Sequence, residues 1–167
     1  MPMTMQIEGL EEALKKMDKS LYAAPLRAFF ERAATALENA YRTKASEGVD
    51  TGRGRASITH VLDSGEPPEW AAVGTNVLYM AYQESGTGLL AQGEPRKGGR
   101  HWPPAAALDT WAIRHGFESG AQVARIIGLR GGLRPRWWLR DAFEESLGVV
   151  ERFVGQFLDE IGGKWSG

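Results

Sequence analysis

Side chains able to move a proton or bind a metal are few in this sequence, and they are scattered. The histidines are His60, His101 and His115, and there is no cysteine. Thiolate nucleophiles, disulfides and cysteine-based metal sites are therefore excluded. No histidine pair has the i, i+4 spacing of a metal-binding helix, and no carboxylate cluster accompanies one. His115 falls at an expected helix C-terminus, where the helix dipole favours a cation. The three share no motif and read as structural histidines. Ser85 is not a nucleophile elbow, because Gln83 stands where that motif requires glycine. Gly52-Arg53-Gly54-Arg55 and Gly128-Leu129-Arg130-Gly131-Gly132 have the glycine content of phosphate cradles. Neither carries the Walker lysine and hydroxyl residue or follows a strand in the manner of a dinucleotide fold, so both read as turns. The sequence argues against an enzyme, a resident cofactor and a metal.

The arginines offer a different chemistry. Arg125, Arg130, Arg134, Arg136 and Arg140 occupy a stretch without an acid, interleaved with Trp137 and Trp138. Arginine with aromatic rings can contact phosphates and stack on bases. Arg96, Lys97 and Arg100 add cations in a glycine-rich segment upstream. From Asp141 to Lys164, by contrast, six acids face two bases. This asymmetry suits head-to-tail contacts between copies or one cationic face turned to a polyanion, with an unevenly charged solvated surface as the plain alternative. The formal net charge of -1 is low for a dedicated DNA-binding module. The start, MPMTMQIEGLEEALKK, lacks the apolar run of a signal peptide. No stretch approaches the ~20 apolar residues of a membrane span, so a soluble, non-exported protein is expected.

The elements that must carry these residues follow from periodicity. A chain of 167 residues suits one domain. Residues 5–8 read as a short strand. Leu10, Ala13, Leu14 and Met17 mark one face of a first helix over 9–21. Leu26, Phe29, Phe30, Ala33, Ala34, Leu37 and Tyr41 stripe a long second helix, expected to open at Pro25 and end near Ala45. The period then changes to two. Ile58–Asp63 and Glu69–Gly74, around a Gly/Pro turn, read as an antiparallel hairpin. Residues 76–83 could be a strand or a short buried helix. Residues 84–101 are glycine-rich without a period and read as a mobile loop. Helices over 103–114 and 119–129 precede a final one opening at Pro135 and running to about Ile161. Leu139, Phe143, Leu147, Val150, Val154, Phe157 and Ile161 form its apolar seam, while Gly148 and Gly155 weaken it or admit another helix. Strands clustered mid-chain favour an α+β domain, with a central antiparallel sheet of about four strands packed by the second and last helices.

Four segments, in this order, resemble the tail-completion family of long-tailed bacteriophages, also called head–tail joining or tail-terminator proteins. Asp50-Thr51-Gly52-Arg53-Gly54-Arg55-Ala56-Ser57-Ile58 is similar to a "TG-x-L-R-x-S-I" entry into the first strand, with Gly54 where the family commonly has an apolar residue. Tyr79-Met80-Ala81-Tyr82-Gln83-Glu84-Ser85-Gly86-Thr87 resembles "YA-x-Y-x-E-x-GT", with Met80 as an extra residue. The glycine-rich loop follows. Leu133 to Phe143 resembles an "x-P-x-x-F/W-L-x-x-A" start of the last helix, through Pro135, Trp137, Trp138 and Ala142. The resemblance spans residues 5 to about 160.

On residue chemistry, Thr51-Gly52 suits a sharp turn with positive φ at the glycine. Tyr79 and Tyr82 would pack at a sheet edge. Glu84, the one charge between Thr75 and Gly93, suggests a paired carboxylate. Trp137 and Trp138 would anchor the last helix on the sheet. The resemblance implies one tail-completion domain over 1–167, forming a ring of typically six copies at the head–tail junction. Its implied partners are further copies of itself, the tail tube protein and the head connector or stopper. Genomic DNA would pass through the lumen without sequence recognition, since phosphate contacts carry no sequence information. The implied location is the virion, with assembly in the host cytoplasm. In that picture the cations named above and Glu84 become interface or channel residues, while Gly86 and Thr87 belong with Thr51, Gly52, Tyr79, Tyr82, Pro135, Trp137 and Trp138 to the structural motif. Two rival readings are another neck component (a head-completion or stopper protein, usually a small β-barrel-like or helical chain) and a non-specific DNA-binding accessory protein.

Overall fold

The computed structural model describes residues 3–4, 8–48, 50–92 and 98–165. In chain order the elements are α1 (Leu10–Leu14), α2 (Lys19–Ala45), α3 (Arg53–Ala56), β1 (Ile58–Leu62), β2 (Ala71–Thr75), α4 (Leu78–Ser85), α5 (Asp109–Arg114), α6 (Gly120–Arg130) and α7 (Trp138–Trp165). Single 3-10 turns occupy Ser46–Gly48, Gly88–Leu90 and Ala105–Ala107.

Helix dominates, and the expected four-stranded α+β sheet is not there. Among the described residues the one sheet is the β1–β2 hairpin, antiparallel with Ile58 opposite Thr75 and Leu62 opposite Ala71. Of the two further segments that could have been strands, the one at residues 5–8 lies almost wholly outside the described residues. The other, over 76–83, is helix α4. Its apolar run has no period-two alternation to hold it in a ladder, and Met80 alone is buried to 2% exposure.

The chain divides into two compact units. The first is built of Gly48–Gly54 and Val77–Trp138, and the second of residues 2–47, Arg55–Asn76 and Leu139–Gly167.

In the second unit α2 and α7 lie antiparallel, with Leu26, Phe29, Val150, Phe157 and Ile161 as the buried core between them. Phe29 and Phe157 meet at 5.8 Å between ring centroids. Leu10, Leu14 and Met17 cover one end of this core. Phe157 is fully buried, so truncating it to alanine would cost about 3–5 kcal/mol. The hairpin packs on α2, with Ile58 fully buried and Arg42 donating to the Ile58 carbonyl oxygen at 2.7 Å.

Both long helices start elsewhere than the sequence suggested. α2 begins at Lys19 because the Asp18 side chain caps it, accepting from the Ser20 amide at 2.8 Å. Pro25 is thus buried inside the helix, two turns from its start. α7 begins at Trp138, not Pro135, because Trp137 sits at φ 57 and interrupts helical geometry. The buried seam of α7 also departs from expectation in its first two turns. Ala142 and Ser146 are buried there, while Phe143 and Leu147 are half-buried.

The solvent side of α7 carries Glu144, Gly148, Glu151, Gly155, Leu158 and Gly162, all exposed and separated alternately by four and three residues. A Cβ added at Gly148, Gly155 or Gly162 would meet no atom within 4 Å. Glycine there costs backbone entropy that alanine would not. Gly155→Ala should therefore raise unfolding stability by about 0.5–1 kcal/mol in chemical denaturation. A loss of stability would mean that this face is covered in the isolated chain.

Candidate assembly surface

The first unit is organised by a crossing of two segments far apart in sequence. The Arg136 amide donates to the Gln83 carbonyl at 2.7 Å, and the Trp137 amide to the Glu84 carbonyl at 3.3 Å. The Thr87 amide donates to the Leu133 carbonyl at 2.9 Å, and the Leu133 amide returns a bond to Thr87 Oγ1 at 2.9 Å. The Leu89 amide completes the series on the Gly131 carbonyl at 2.9 Å. Thr87 is 1% exposed, so its hydroxyl is a buried acceptor with its donor supplied.

Such close passage of two backbones needs positions without side chains. A Cβ on Gly132, whose φ is 145, would overlap the Thr87 carbonyl oxygen, and one on Gly88 would overlap that of Gly131. A Cβ on Gly86 would stand 2.6 Å from the Leu133 carbonyl oxygen and 2.9 Å from Pro135 Cδ. Pro135 therefore works as a wall for Gly86 and not as the first turn of a helix. The segment expected as a mobile loop is tied down over 86–92, where the Gln92 amide also reaches the Ser85 carbonyl at 2.9 Å. Part of that loop, with Arg96 and Lys97, lies outside the described residues.

The TG segment joins the same unit. Gly52 has φ 77, as the turn requires, and Thr51 Oγ1 accepts from the Arg53 amide at 3.4 Å. The turn leads through α3 before the strand begins. Gly54 is buried against α4, where a Cβ would lie 2.5 Å from both Met80 Sδ and the Tyr79 hydroxyl. Met80 and the Tyr79 hydroxyl thus occupy the space that a side chain at 54 would take. Tyr79 and Tyr82 lie on α4 and not at a sheet edge, with the Tyr82 ring 6.3 Å from that of His101. Trp138 is 5% exposed and covers Gly48, whose added Cβ would touch its ring at 2.7 Å.

The predicted cations take three different situations. Arg125, Arg130, Arg134 and Arg136 are exposed in the first unit, and the Arg136 guanidinium stands 5.5 Å from the Trp138 ring centroid. Arg100 caps the end of α6, donating to the Leu129 carbonyl at 2.7 Å. Arg140 belongs to α7 and binds Asp141 at 3.1 Å. Glu84 is half-buried. The unit boundaries sort the charges by sign: the first unit carries nine Lys or Arg against five Asp or Glu, and the second eleven against sixteen.

The histidines are held by structural contacts. His60 Nδ1 is 2.5 Å from Glu38 Oε2 and Nε2 is 3.3 Å from Glu31 Oε2, while Glu38 also pairs with Arg42 at 2.8 Å. With carboxylates at both ring nitrogens, the protonated form of the ring, which donates from both, is favoured. The hydrogen bond to Glu38, opposed by burial and helped by Glu31, raises the His60 pKa above its ordinary value. A raised folded-state pKa stabilises fully below the unfolded value, and that contribution is lost as pH rises through the folded one. His60→Gln should therefore lower stability by about 1–2 kcal/mol at pH 6, and the deficit should shrink above the folded pKa. Thermal melts from about pH 5.5 to about pH 9, either side of the ordinary histidine pKa of ~6.5, check this; a constant deficit would refute it. His115 stacks on Trp111 at 4.0 Å between centroids, with Nδ1 2.8 Å from the Trp111 carbonyl.

Sequence reasoning did not find the backbone crossing, the His60 cluster or the ion pair of Arg114 with Asp50 at 2.9 Å. The first had a visible signal in the adjacent glycines 131 and 132. The other two join residues whose separation in sequence carries no period. Among the described residues no group of three or more His, Cys, Asp or Glu could hold a metal ion, and no helix is long and apolar enough to cross a membrane. No protein-family model, curated protein or solved structure matches the chain.

Proposed function

We propose that this chain is a structural virion subunit of a long-tailed bacteriophage, one member of a closed ring at the head–tail junction that completes the tail tube and joins it to the head connector. What carries the reading is the backbone crossing. The segments that resemble the tail-completion family, residues 79–87 and 133–143, bond to each other directly through Gln83, Glu84 and Thr87. Their residue types are those the crossing demands, glycine where backbones touch and a threonine whose hydroxyl is consumed. The two long helices α2 and α7 favour this role over a β-barrel-like stopper. Opposite charge on the two units supplies the two different complementary patches that a heterologous, ring-closing contact requires. The exposed arginines of the first unit suit a lumen past which DNA slides, held by charge and not by base recognition.

The test is an infection with a phage lacking this chain. Filled heads and uncompleted tails should accumulate unjoined, and expression of the chain in trans should restore plaques. Normal particles in its absence would overturn the proposal.

A further inference from the structure

The end of α6 gathers an apolar patch that the first unit leaves in solvent. Leu89, Trp102 and Leu129 are 60%, 56% and 59% exposed. They are neighbours. The Trp102 ring lies so close on Gly128 that a Cβ there would overlap it, and Leu89 packs on Gly131, which caps the helix with φ 92. Arg100 reaches the Leu129 carbonyl, and exposed Arg130 is the last residue of the helix. Large apolar side chains grouped on a surface mark interaction sites, and tryptophan and arginine are both enriched at their energetic centres.

We infer that this patch binds the solvent face of α7 in a second copy of the same chain. The occupant must be acidic and partly apolar, and must offer little steric bulk to a protruding indole. The α7 face has Glu144 and Glu151 for Arg100 and Arg130, Leu158 for apolar contact, and Gly148 and Gly155 as notches with open space above them. Two parallel α7 faces would set Glu144 and Glu151 against their like charges, and an antiparallel pair would set them opposite Gly162 and Gly155, with no cation to meet either. Two cationic patches would repel as like charges. Charge therefore selects a head-to-tail contact between unlike surfaces, the kind that propagates around a ring. The contact deepens the proposed assembly role and rests on it for its biological meaning.

The absence of native cysteine makes the contact trappable. Leu129→Cys and Asp159→Cys each alter an exposed position, and the second lies one helical turn beyond Gly155 and leaves both glycine notches open. The two purified full-length variants, mixed in oxidised glutathione, should form the mixed disulfide dimer at least about tenfold faster than Leu129→Cys mixed with Thr59→Cys, an exposed hairpin position. Adding Trp102→Glu to the Leu129→Cys chain, or 1 M salt to the mixture, should slow trapping toward the control rate, since ~3 Å screening removes the charge attraction. Equal rates for the two mixtures would overturn the inference. So would preferential Leu129→Cys self-dimers, which would mean that like patches pair. Specific trapping by a chain absent from the virion collar would leave the contact standing and sink the assembly role. Presence in the collar with trapping at the control rate would do the reverse.

Discussion

A phage whose copy of this chain carries Arg134→Glu with Arg136→Glu should lose plaque formation by at least about a thousandfold while the purified protein stays folded. Reversing two exposed charges at one contact replaces attraction by repulsion, which costs several kcal/mol where the partner surface is of opposite sign. Each ~1.4 kcal/mol is a factor of ten in the contact's equilibrium constant, and a closed ring repeats the defect at every interface. The cost within the monomer is small by comparison. Arg134 is solvated, and Arg136 gives up a cation–π contact with Trp138 worth about 0.5–1 kcal/mol. A melting temperature within about 5 °C of the parent separates this outcome from misfolding. Mature particles at normal titre would show that the arginine surface takes no part in joining.

Gly132→Ala should be the most damaging methyl group that can be added to this molecule. It places a Cβ inside the Thr87 carbonyl oxygen, at a residue whose φ of 145 already disfavours any L side chain. The crossing cannot yield locally, because Thr87 is bonded to Leu133 in both directions and Gly132 donates to the Ile127 carbonyl at 2.9 Å. Strain and overlap together should remove about 3 kcal/mol or more from the first unit. Four of the six tryptophans (102, 111, 137 and 138) lie in that unit, so fluorescence reports on it while helix content by circular dichroism weights α2 and α7. The substitution should shift the fluorescence transition to lower denaturant and split it from the dichroism transition. Coincident transitions at the parent midpoint would mean that the clamp contributes little.

What could be read in advance was whatever a single periodicity controls. The 3.6-residue stripe from Leu26 to Tyr41 and the alternation over Ile58–Leu62 placed α2 and the hairpin. The distal seam Val150, Phe157 and Ile161 placed the core of the second unit. Three competing influences defeated the rest. A capping carboxylate at Asp18 outweighed the preference of Pro25 for a first turn. The left-handed Trp137 separated Pro135 from the helix it was expected to open. An apolar run at 76–83 with no alternation became helix, and the four-stranded sheet went with it. Among the site residues, Gly86, Thr87, Pro135 and Trp138 proved to be a packing device, while Arg100 and Arg140 are engaged locally. In the loop read as mobile, Gly86 and Gly88 are needed because another backbone passes beside them, whereas Gly98 and Gly99 stand in open space.

The mutual fit of Gly54 and Met80 has a consequence for how such a chain can change over time. A bulky side chain at 54 cannot be accepted while the methionine fills that space, and removing the methionine alone leaves a void beneath Tyr79. The two positions can drift only in step, so each single substitution is a barrier and the double one is a passage. Gly54→Ala with Met80→Ala should cost less stability than the sum of the two single changes, the mark of two sites that inherit as one.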